Sequence, residues 1–416
     1  MNKSELLELY SGDARVSQIK DGLPVSGNCR IRLNKVSGSL AAVIASASNI
    51  DGIQVFVLDD QEQASYFYSD LLELNDTSKV FYFPASYRSS HNKEAVDKSN
   101  LLNRVECLDR IGYYSRKKEK HQMFVVTFPD GIEEKVMTQT EYNESILNLA
   151  LNEELDRDGL IQHLFSVGFE RKEYVAEPGE FSVRGSIIDI FSYSNYYPYR
   201  IEISGDIIAS LRTFDPLSQT SLSFVNSFSV IPDVGSSSVN GEKASKEYQP
   251  FLNFIEGGSC IWFYNYQLAS EMVSASSLNP DMLNGLNIIE FGPAKGGIKF
   301  QPAITINFNS APQPSFNKNF QILSKDLLKN HSQGYSNYIL TESQGQMDRL
   351  HAIFDDLDSG NQKLKGAPFI PVPLKLHEGF TDHDKKLACY TDHQIFNRYD
   401  RPALQKSYSK KAAITL

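Results

Sequence analysis

The amino-acid sequence predicts an α/β fold: a parallel sheet with helices on its faces, an inserted α+β module and a small C-terminal α/β domain. Short apolar runs alternate with amphipathic segments of helical period over residues 30–145. From 146 to 232 this rhythm gives way to alternating strands between turns, and after 311–315 the strand–helix order returns. Strand–helix–strand order is typical of parallel sheets, whereas apolar–polar alternation is typical of half-buried antiparallel strands.

The element order divides the chain as follows. Residues 30–145 are expected to form the first domain, with strands at 55–58, 80–83 and 123–128, helices at 62–74 and 101–111, and a polar loop at 86–100. Residues 1–29 and 233–310 are expected to form a second α/β layer, with a polar linker at 235–250 and strands at 261–264, 288–289 and 304–308. A linker at 311–315 precedes a small α/β domain at 316–400, with helices at 320–328 and 347–357, strands at 338–340 and 387–390, and a tail at 401–416.

The module at 146–232 contains the most densely patterned segment, 178–216. Its alternating residues predict a small curled sheet that shows Arg184, Arg200 and Arg212 on one face, close to a tyrosine-rich crossing. Arginine beside tyrosine is the composition of a protein-binding hot spot.

A structural alternative for these arginines stays open at this point. Asp189 lies inside the apolar run 187–191, where a buried acid usually pairs with an arginine or a backbone amide. Arg184 and Arg200 could therefore pair with Asp189 and Glu202 inside the module instead of contacting a partner.

Composition limits the classes of function. Of 416 residues, 41% are hydrophobic and 22% charged, an ordinary globular mix, and the net charge of −10 speaks against a bulk nucleic-acid binder. The four cysteines are far apart with no CxxC pair, so neither a disulfide framework nor a four-thiolate zinc site is expected. No run of 18 apolar residues suggests a membrane span, so a cytoplasmic location is expected.

The first place to look for chemistry is the loop after the first strand, residues 33–46. A phosphate-binding loop needs glycines for a tight turn, a lysine for the phosphates and a Ser or Thr hydroxyl for Mg²⁺. Only Gly38 matches, because Ala41 and Ala42 stand where the lysine and the hydroxyl would be. Nucleotide hydrolysis at this loop is therefore not expected, and a structural strand–helix turn is.

Two groups of residues are candidate metal sites. Asp189, Glu202, Asp206 and Asp215 could supply oxygen ligands, but the turns at Asp206 and Asp215 favour a structural role. Cys389 and His393, near His377 and His383, could form half a zinc site, yet no second ligand pair is evident, so no metal is expected.

The ordered motifs GFER at 168–171, PGEF at 178–181, VRGSIIDIF at 183–191, YRIE at 199–202 and DIIASLRTFD at 206–215 resemble the module shared by the excision-repair protein UvrB and the transcription-repair coupling factor (Mfd) family. The missing phosphate loop, the short segment at 82–94 and the motif CYTDHQIFNRY at 389–399 make the chain more similar to the N-terminal region of the coupling-factor family.

This resemblance implies a degenerate helicase-like first domain, a UvrA-binding module and no enzymatic activity in this chain. The family's ATP- and Mg²⁺-dependent DNA translocase motor and its modules for RNA polymerase and double-stranded DNA would lie beyond Leu416. The family's UvrA contacts fall on Arg184 and Arg200, and an aromatic contact falls on Ser204, a departure from the pattern.

Two functions are therefore expected alternatives. The first is a non-catalytic unit that recruits UvrA to lesion-stalled RNA polymerase in nucleotide excision repair. The second is a nucleic-acid-binding or metal-dependent nuclease head that uses Asp189, Asp206 and the basic run at 116–120.

Overall fold

A computed structural model describes residues 2–89, 92–117, 122–193, 195–232, 247–293, 301–341, 345–350, 352–353 and 368–398. In chain order the helices are α1 (Lys3–Ser11), α2 (Ala14–Asp21), α3 (Leu40–Ala47), α4 (Gln61–Leu74), α5 (Lys98–Lys117), α6 (Pro129–Glu133), α7 (Gln139–Ser145), α8 (Arg157–Ser166), α9 (Tyr266–Met272), α10 (Phe320–Ser332) and α11 (Asp392–Ile395).

The strands, in the same order, are β1 (Arg30–Asn34), β2 (Gly52–Val57), β3 (Val80–Tyr82), β4 (Tyr87–Ser89), β5 (Asn92–Val96), β6 (Gln122–Thr127), β7 (Val136–Met137), β8 (Leu147–Ala150), β9 (Glu170–Arg171), β10 (Glu180–Arg184), β11 (Ile187–Ile190), β12 (Tyr199–Ser204), β13 (Ile207–Phe214), β14 (Ser221–Phe224), β15 (Ser227–Val230), β16 (Tyr248–Gln249), β17 (Cys260–Phe263), β18 (Asn287–Glu290), β19 (Ile304–Asn307), β20 (Ser310–Pro312), β21 (Ser336–Leu340), β22 (Ile370–Val372), β23 (Phe380–Asp382) and β24 (Leu387–Thr391).

The largest unit is a parallel sheet of seven described strands in the order β19-β1-β18-β17-β2-β6-β3. The predicted α/β class is thus confirmed. Residues 233–310, expected as a second layer, instead supply β17, β18 and β19 to this same sheet. The reason is burial: β17 is a wholly buried apolar run, and its backbone pairs with β2 on one side and β18 on the other.

Helices cover both faces of the sheet. Side chains of α1–α4 share one hydrophobic core with Phe56 and Phe124, whereas α5, α6, α7 and α9 pack around Val55 and Val125 on the other face. Successive residues of one strand therefore enter opposite cores, as alternation along a strand requires.

Five local expectations need correction or lie partly or wholly outside the described residues. The polar loop expected at 86–100 contains the antiparallel pair β4–β5 and the start of α5. The helix expected at 101–111 runs instead from Lys98 to Lys117. Helical residues occur at 345–350, but most of the helix expected at 347–357, much of the linker at 235–250 and the tail at 401–416 fall outside the described residues.

The chain enters the inserted module along β8 and leaves it along β15, and these two strands pair as an antiparallel ribbon. Between these strands lie α8 and a curled sheet in the order β14-β13-β12-β11-β10-β9, with every pair antiparallel except β9–β10. Leu160 and Leu164 of α8 pack on the sheet face that carries Ile188, Ile201 and Leu211. One face of the sheet is thus buried, and the opposite face is left for charged residues.

The C-terminal unit is a mixed sheet in the order β20-β23-β24-β21-β22 with α10 and α11 on one side. Its first strand occupies residues 310–312, so the segment expected as a linker at 311–315 begins inside this sheet. The correction follows from backbone pairing, since Ser310, Ala311 and Pro312 are paired with β23. Pro312 is tolerated because β20 is an edge strand.

The other side of the C-terminal sheet packs on the first unit. Phe380, Leu387 and Cys389 belong to the same hydrophobic core as Leu6 and Tyr10 of α1. The two sheets are therefore joined through a continuous buried core.

Polar contacts border this core. The Tyr10 hydroxyl donates to Asp382 Oδ2 at 2.9 Å in a buried position. Nearby, Lys385 Nζ lies 2.9 Å from Asp13 Oδ2, so charged groups of α2 and the C-terminal unit also meet.

Replacing Tyr10 by Phe tests this junction. The change leaves the buried Asp382 without its hydroxyl donor, so we expect a loss of about 1–3 kcal/mol of stability. The readout is the thermal midpoint together with hydrogen exchange of residues 380–391. Tyr335→Phe is the matched control, because the Tyr335 hydroxyl bonds His383 at an exposed site. Equal effects of the two substitutions would contradict the importance of the buried contact.

Candidate functional site

The exposed face of the module's curled sheet carries the predicted arginines. Strand register places Ser182, Asp189, Arg200, Arg212 and Phe224 side by side across five strands. Because cross-strand neighbours point to the same side of a sheet, these side chains share one face. We call this face, which also carries Arg184 and Glu202, the arginine face.

The buried carboxylate of Asp189 binds two of the arginines on this face. Its side chain is only 1% exposed, and Arg184 Nη2 lies 2.6 Å from its Oδ2. Arg200 binds the same carboxylate with two nitrogens, Nε at 2.7 Å from Oδ1 and Nη2 at 2.9 Å from Oδ2. Such charge-assisted and bidentate bonds are short and directional, so one buried carboxylate fixes two guanidinium groups.

Further contacts hold each guanidinium. Arg200 Nη2 donates to Gln219 Oε1 at 2.9 Å, and its guanidinium lies 4.1 Å from the centre of the Phe214 ring. Arg184 lies 4.7 Å from the centre of the Tyr174 ring. The Arg184 side chain is 32% exposed and that of Arg200 12%, so Arg184 has more surface for a partner.

The alternative of pairing within the module is confirmed in part. Asp189 pairs with both Arg184 and Arg200, whereas Glu202 pairs with Arg212, at 3.3 Å, and not with either of the other two. The reason is register: Asp189 faces Arg200 directly across β11 and β12. Arg184 and Arg200 therefore bind the buried carboxylate with one edge of each guanidinium, while their side chains remain 32% and 12% exposed.

The remaining predicted contact is Ser204, the exposed last residue of β12. It is followed by a turn at Gly205, whose φ of 63° suits glycine. Its cross-strand neighbour is Ile207, which is 46% exposed. The structure thus puts Ser204 at the hairpin end of the sheet, several residues along β12 from Arg200.

Sequence reasoning missed Tyr174, Phe214 and Gln219 as supports of the arginines. Alternation along β13 gave a signal for Phe214, which is two residues after Arg212. Gln219 carried no such signal, because it reaches Arg200 through a turn in which its own φ is 58°.

The C-terminal unit contacts the loop that contains Gly38. The Ser39 amide donates to the Glu378 carbonyl at 3.2 Å, and the Glu378 amide donates back to Ser39 Oγ at 2.9 Å. Gly38 has a φ of 57°, and a Cβ there would lie 2.7 Å from the Gly379 carbonyl oxygen. A backbone segment of the C-terminal unit therefore contacts this loop directly.

The helix after the loop begins with buried apolar residues. Ala41 and Ala42 are 6% and 0% exposed within the hydrophobic core around α3. Neither side chain offers a cation for phosphates or an oxygen for Mg²⁺.

A cleft of about 830 Å³ opens beside this loop, and its lining includes Tyr66, Asp70 and His377. The His377 amide donates to Asp70 Oδ1 at 2.7 Å, and the His377 ring stacks on Tyr66 with centres 3.5 Å apart. Burial raises the pKa of the Asp70 carboxyl to about 7, although hydrogen bonds from Ser39 and the His377 amide oppose the shift.

The metal candidates are not brought together. Within the described ranges, no group of three or more His, Cys, Asp or Glu residues could hold a metal ion. Asp189 is taken by arginines, and Asp215 accepts from the amides of Leu217 and Ser218, as a turn residue does. Cys389 is buried, which raises the pKa of its thiol, and the His393 ring stacks on His377.

Two other features of the described residues bear on the alternatives. Of the basic run at 116–120, residues 118–120 lie outside the described residues, and α5 ends at Lys117. In the described part of the chain, no helix is long and apolar enough to cross a membrane.

Comparison with known proteins gives a family match to the module and matches to longer relatives. Residues 147–234 match the UvrB interaction domain. The chain is 26% identical over 200 residues to the transcription-repair-coupling factor of Bacillus subtilis (strain 168), covering 47% of this chain and 16% of the relative. It is 27% identical over 154 residues to that of Myxococcus xanthus, covering 37% and 12%.

UvrB proteins match at a similar level. The UvrABC system protein B of Thermosipho africanus (strain TCF52B) is 29% identical over 177 residues, which cover 41% of this chain and 26% of the relative. The matched segments thus span about a quarter or less of these relatives' lengths. The matches confirm the predicted resemblance to coupling factors and UvrB.

Asp189→Ala tests the organisation of the arginine face. Removing a buried carboxylate leaves two guanidiniums without their shared partner, so we expect a loss of about 3 kcal/mol of stability. Glu202→Ala is the control, because its pair with Arg212 is partly exposed and worth at most about 1 kcal/mol. Thermal unfolding compares the two variants, and a loss for Asp189→Ala no larger than for Glu202→Ala would contradict the central role of Asp189.

Asp70→Asn tests the buried carboxyl at the junction by its pH dependence. The folded state keeps this carboxyl protonated to about pH 7, whereas the unfolded chain ionises it near the usual pKa of 3.8. Wild type should therefore lose stability relative to the variant as pH rises from about 4 to about 7, by on the order of 4 kcal/mol. Unfolding midpoints at several pH values measure this difference. A difference between the two proteins that stays constant with pH would contradict the burial of a protonated Asp70.

Proposed function

We propose that this chain is a non-catalytic docking unit of transcription-coupled nucleotide excision repair, which recruits UvrA to RNA polymerase stalled at a lesion. One observation carries the proposal: the residues that match the UvrB interaction domain, 147–234, include the whole arginine face. The names of the matched relatives, transcription-repair-coupling factor and UvrABC system protein B, support a role in UvrA-linked repair.

The chemistry of the arginine face suits a protein partner. Arg184 and Arg200 are held by Asp189, so little side-chain entropy remains to be lost when a partner binds. The more exposed Arg184 guanidinium can receive a carboxylate of UvrA, whereas Arg200 already donates to Asp189 and Gln219. The chain as a whole has a net charge of −10, and on this face the arginines are paired with Asp189 and Glu202, so the guanidinium donors and not a net positive charge are what this face offers a partner.

The state of the Gly38 loop supports a non-catalytic role. Its Ser39 amide is already bound to the Glu378 carbonyl, and Ala41 and Ala42 lack phosphate- and Mg²⁺-binding groups. ATP and Mg²⁺, like the contacts to RNA polymerase and double-stranded DNA, belong in this proposal to motor and polymerase-binding modules of the longer relatives.

The nuclease alternative finds no comparable support. It requires Asp189 as a metal ligand, but that carboxylate is buried under two arginines. Asp206 lies apart in the exposed turn after β12. We therefore do not propose catalysis at this face.

Binding of purified chain to purified UvrA tests the proposal. We expect co-migration in size-exclusion chromatography at low salt and a measurable dissociation constant in calorimetry. Arg184→Glu should weaken binding by roughly 100-fold, because a carboxylate would then face the acidic groups of the partner.

Arg157→Glu is the matched control for charge. Arg157 is an exposed first residue of α8 in the same module, outside the arginine face, so its reversal should leave the dissociation constant within about twofold. No complex with wild-type chain, or equal binding by Arg184→Glu and wild type, would overturn the proposed function.

A further inference from the structure

The most exposed aromatic ring among the described residues lies on the arginine face. Phe224 is 77% exposed and ends β14, where its cross-strand neighbour is Arg212. Leu222, two residues earlier on the same strand, is 47% exposed. Leu222 lies at the bulge where the register of β13 and β14 shifts between Thr213 and Phe214. The register therefore places Phe224 as an apolar border beside the arginines, at the end of the row formed by Asp189, Arg200 and Arg212.

The strand that carries this border is an edge strand without the usual protection. β14 pairs with β13 alone among the described residues, and all four of its residues are exposed. Native edge strands are commonly blunted by charges, proline or a covering segment. β14 contains only serine, leucine and phenylalanine, so its apolar side chains and one backbone edge are open to a partner.

The ring of Phe224 lies level with the arginines and not with Ser204, which stands at the hairpin end of β12. Phe224 lies on the same face two strands away from Arg200, or roughly 10 Å at the usual spacing between strands. An aromatic side chain next to arginines, at the border of a docking face, is the composition of an interface hot spot.

We propose that Phe224 is an apolar contact for UvrA that adjoins the arginines. This inference rests on the proposed function, because it assigns a further contact within the same docking face. The partner surface it requires has carboxylates for the guanidiniums and an apolar pocket next to them for the phenyl ring. The charge and the ring then contribute separately to affinity.

The test compares Phe224→Ala with wild type by calorimetry against purified UvrA, using the full chain. We expect a dissociation constant about tenfold weaker, as for truncation of an aromatic contact residue. The loss should be nearly the same at low and high salt, whereas the effect of Arg184→Glu should shrink as salt increases, because salt screens charge but not apolar contact. Because Phe224 is exposed, the thermal midpoint of the Phe224→Ala variant should match that of wild type.

Phe165→Ala is the matched control. Phe165 is 53% exposed on α8 and contacts Phe181 on the buried side of the sheet, away from the arginine face. The inference is overturned if Phe224→Ala binds within twofold of wild type while Arg184→Glu loses binding, a result that leaves the proposed function intact. An equal loss for Phe165→Ala would overturn it as well. If wild-type chain does not bind UvrA, the proposed function and this inference both fall.

Discussion

A single buried carboxylate, Asp189, is the interaction on which the module's surface depends. An acid in the apolar run of β11 must be paired, because an uncompensated buried charge is strongly destabilising. The partners that the register provides are Arg184 and Arg200, which meet it at 2.6 and 2.7 Å. The need to pair the buried Asp189 carboxylate thus fixes two guanidinium groups in position on the sheet. The opposite face of this sheet packs on α8.

A second constraint ties the rest of the chain together. The C-terminal unit shares a hydrophobic core with α1, and its backbone at Glu378 and Gly379 closes the loop around Gly38. The Gly38 loop therefore takes part in the junction between the two sheets.

The sequence predicted the α/β class, the curled sheet and the arginines, because alternation and turn glycines are local patterns that span only a few residues. Features decided by distant pairing escaped prediction. That β17 joins β2 depends on residues some two hundred positions apart, and the contact of His377 with Asp70 joins residues 307 positions apart. The choice of Asp189 over Glu202 as the partner of Arg200 needed the strand register, and the exposure of Phe224 needed the knowledge that β14 is an edge strand.

The central claim is that the arginine face is where UvrA docks. Hydrogen-exchange mass spectrometry of the chain with and without UvrA tests it most directly, since it maps the contact without any substitution. The account predicts protection of peptides from β10 to β14, residues 180–224, with little change at the Gly38 loop or in α10. Protection absent from 180–224, or concentrated at the Gly38 loop and its cleft, would contradict it.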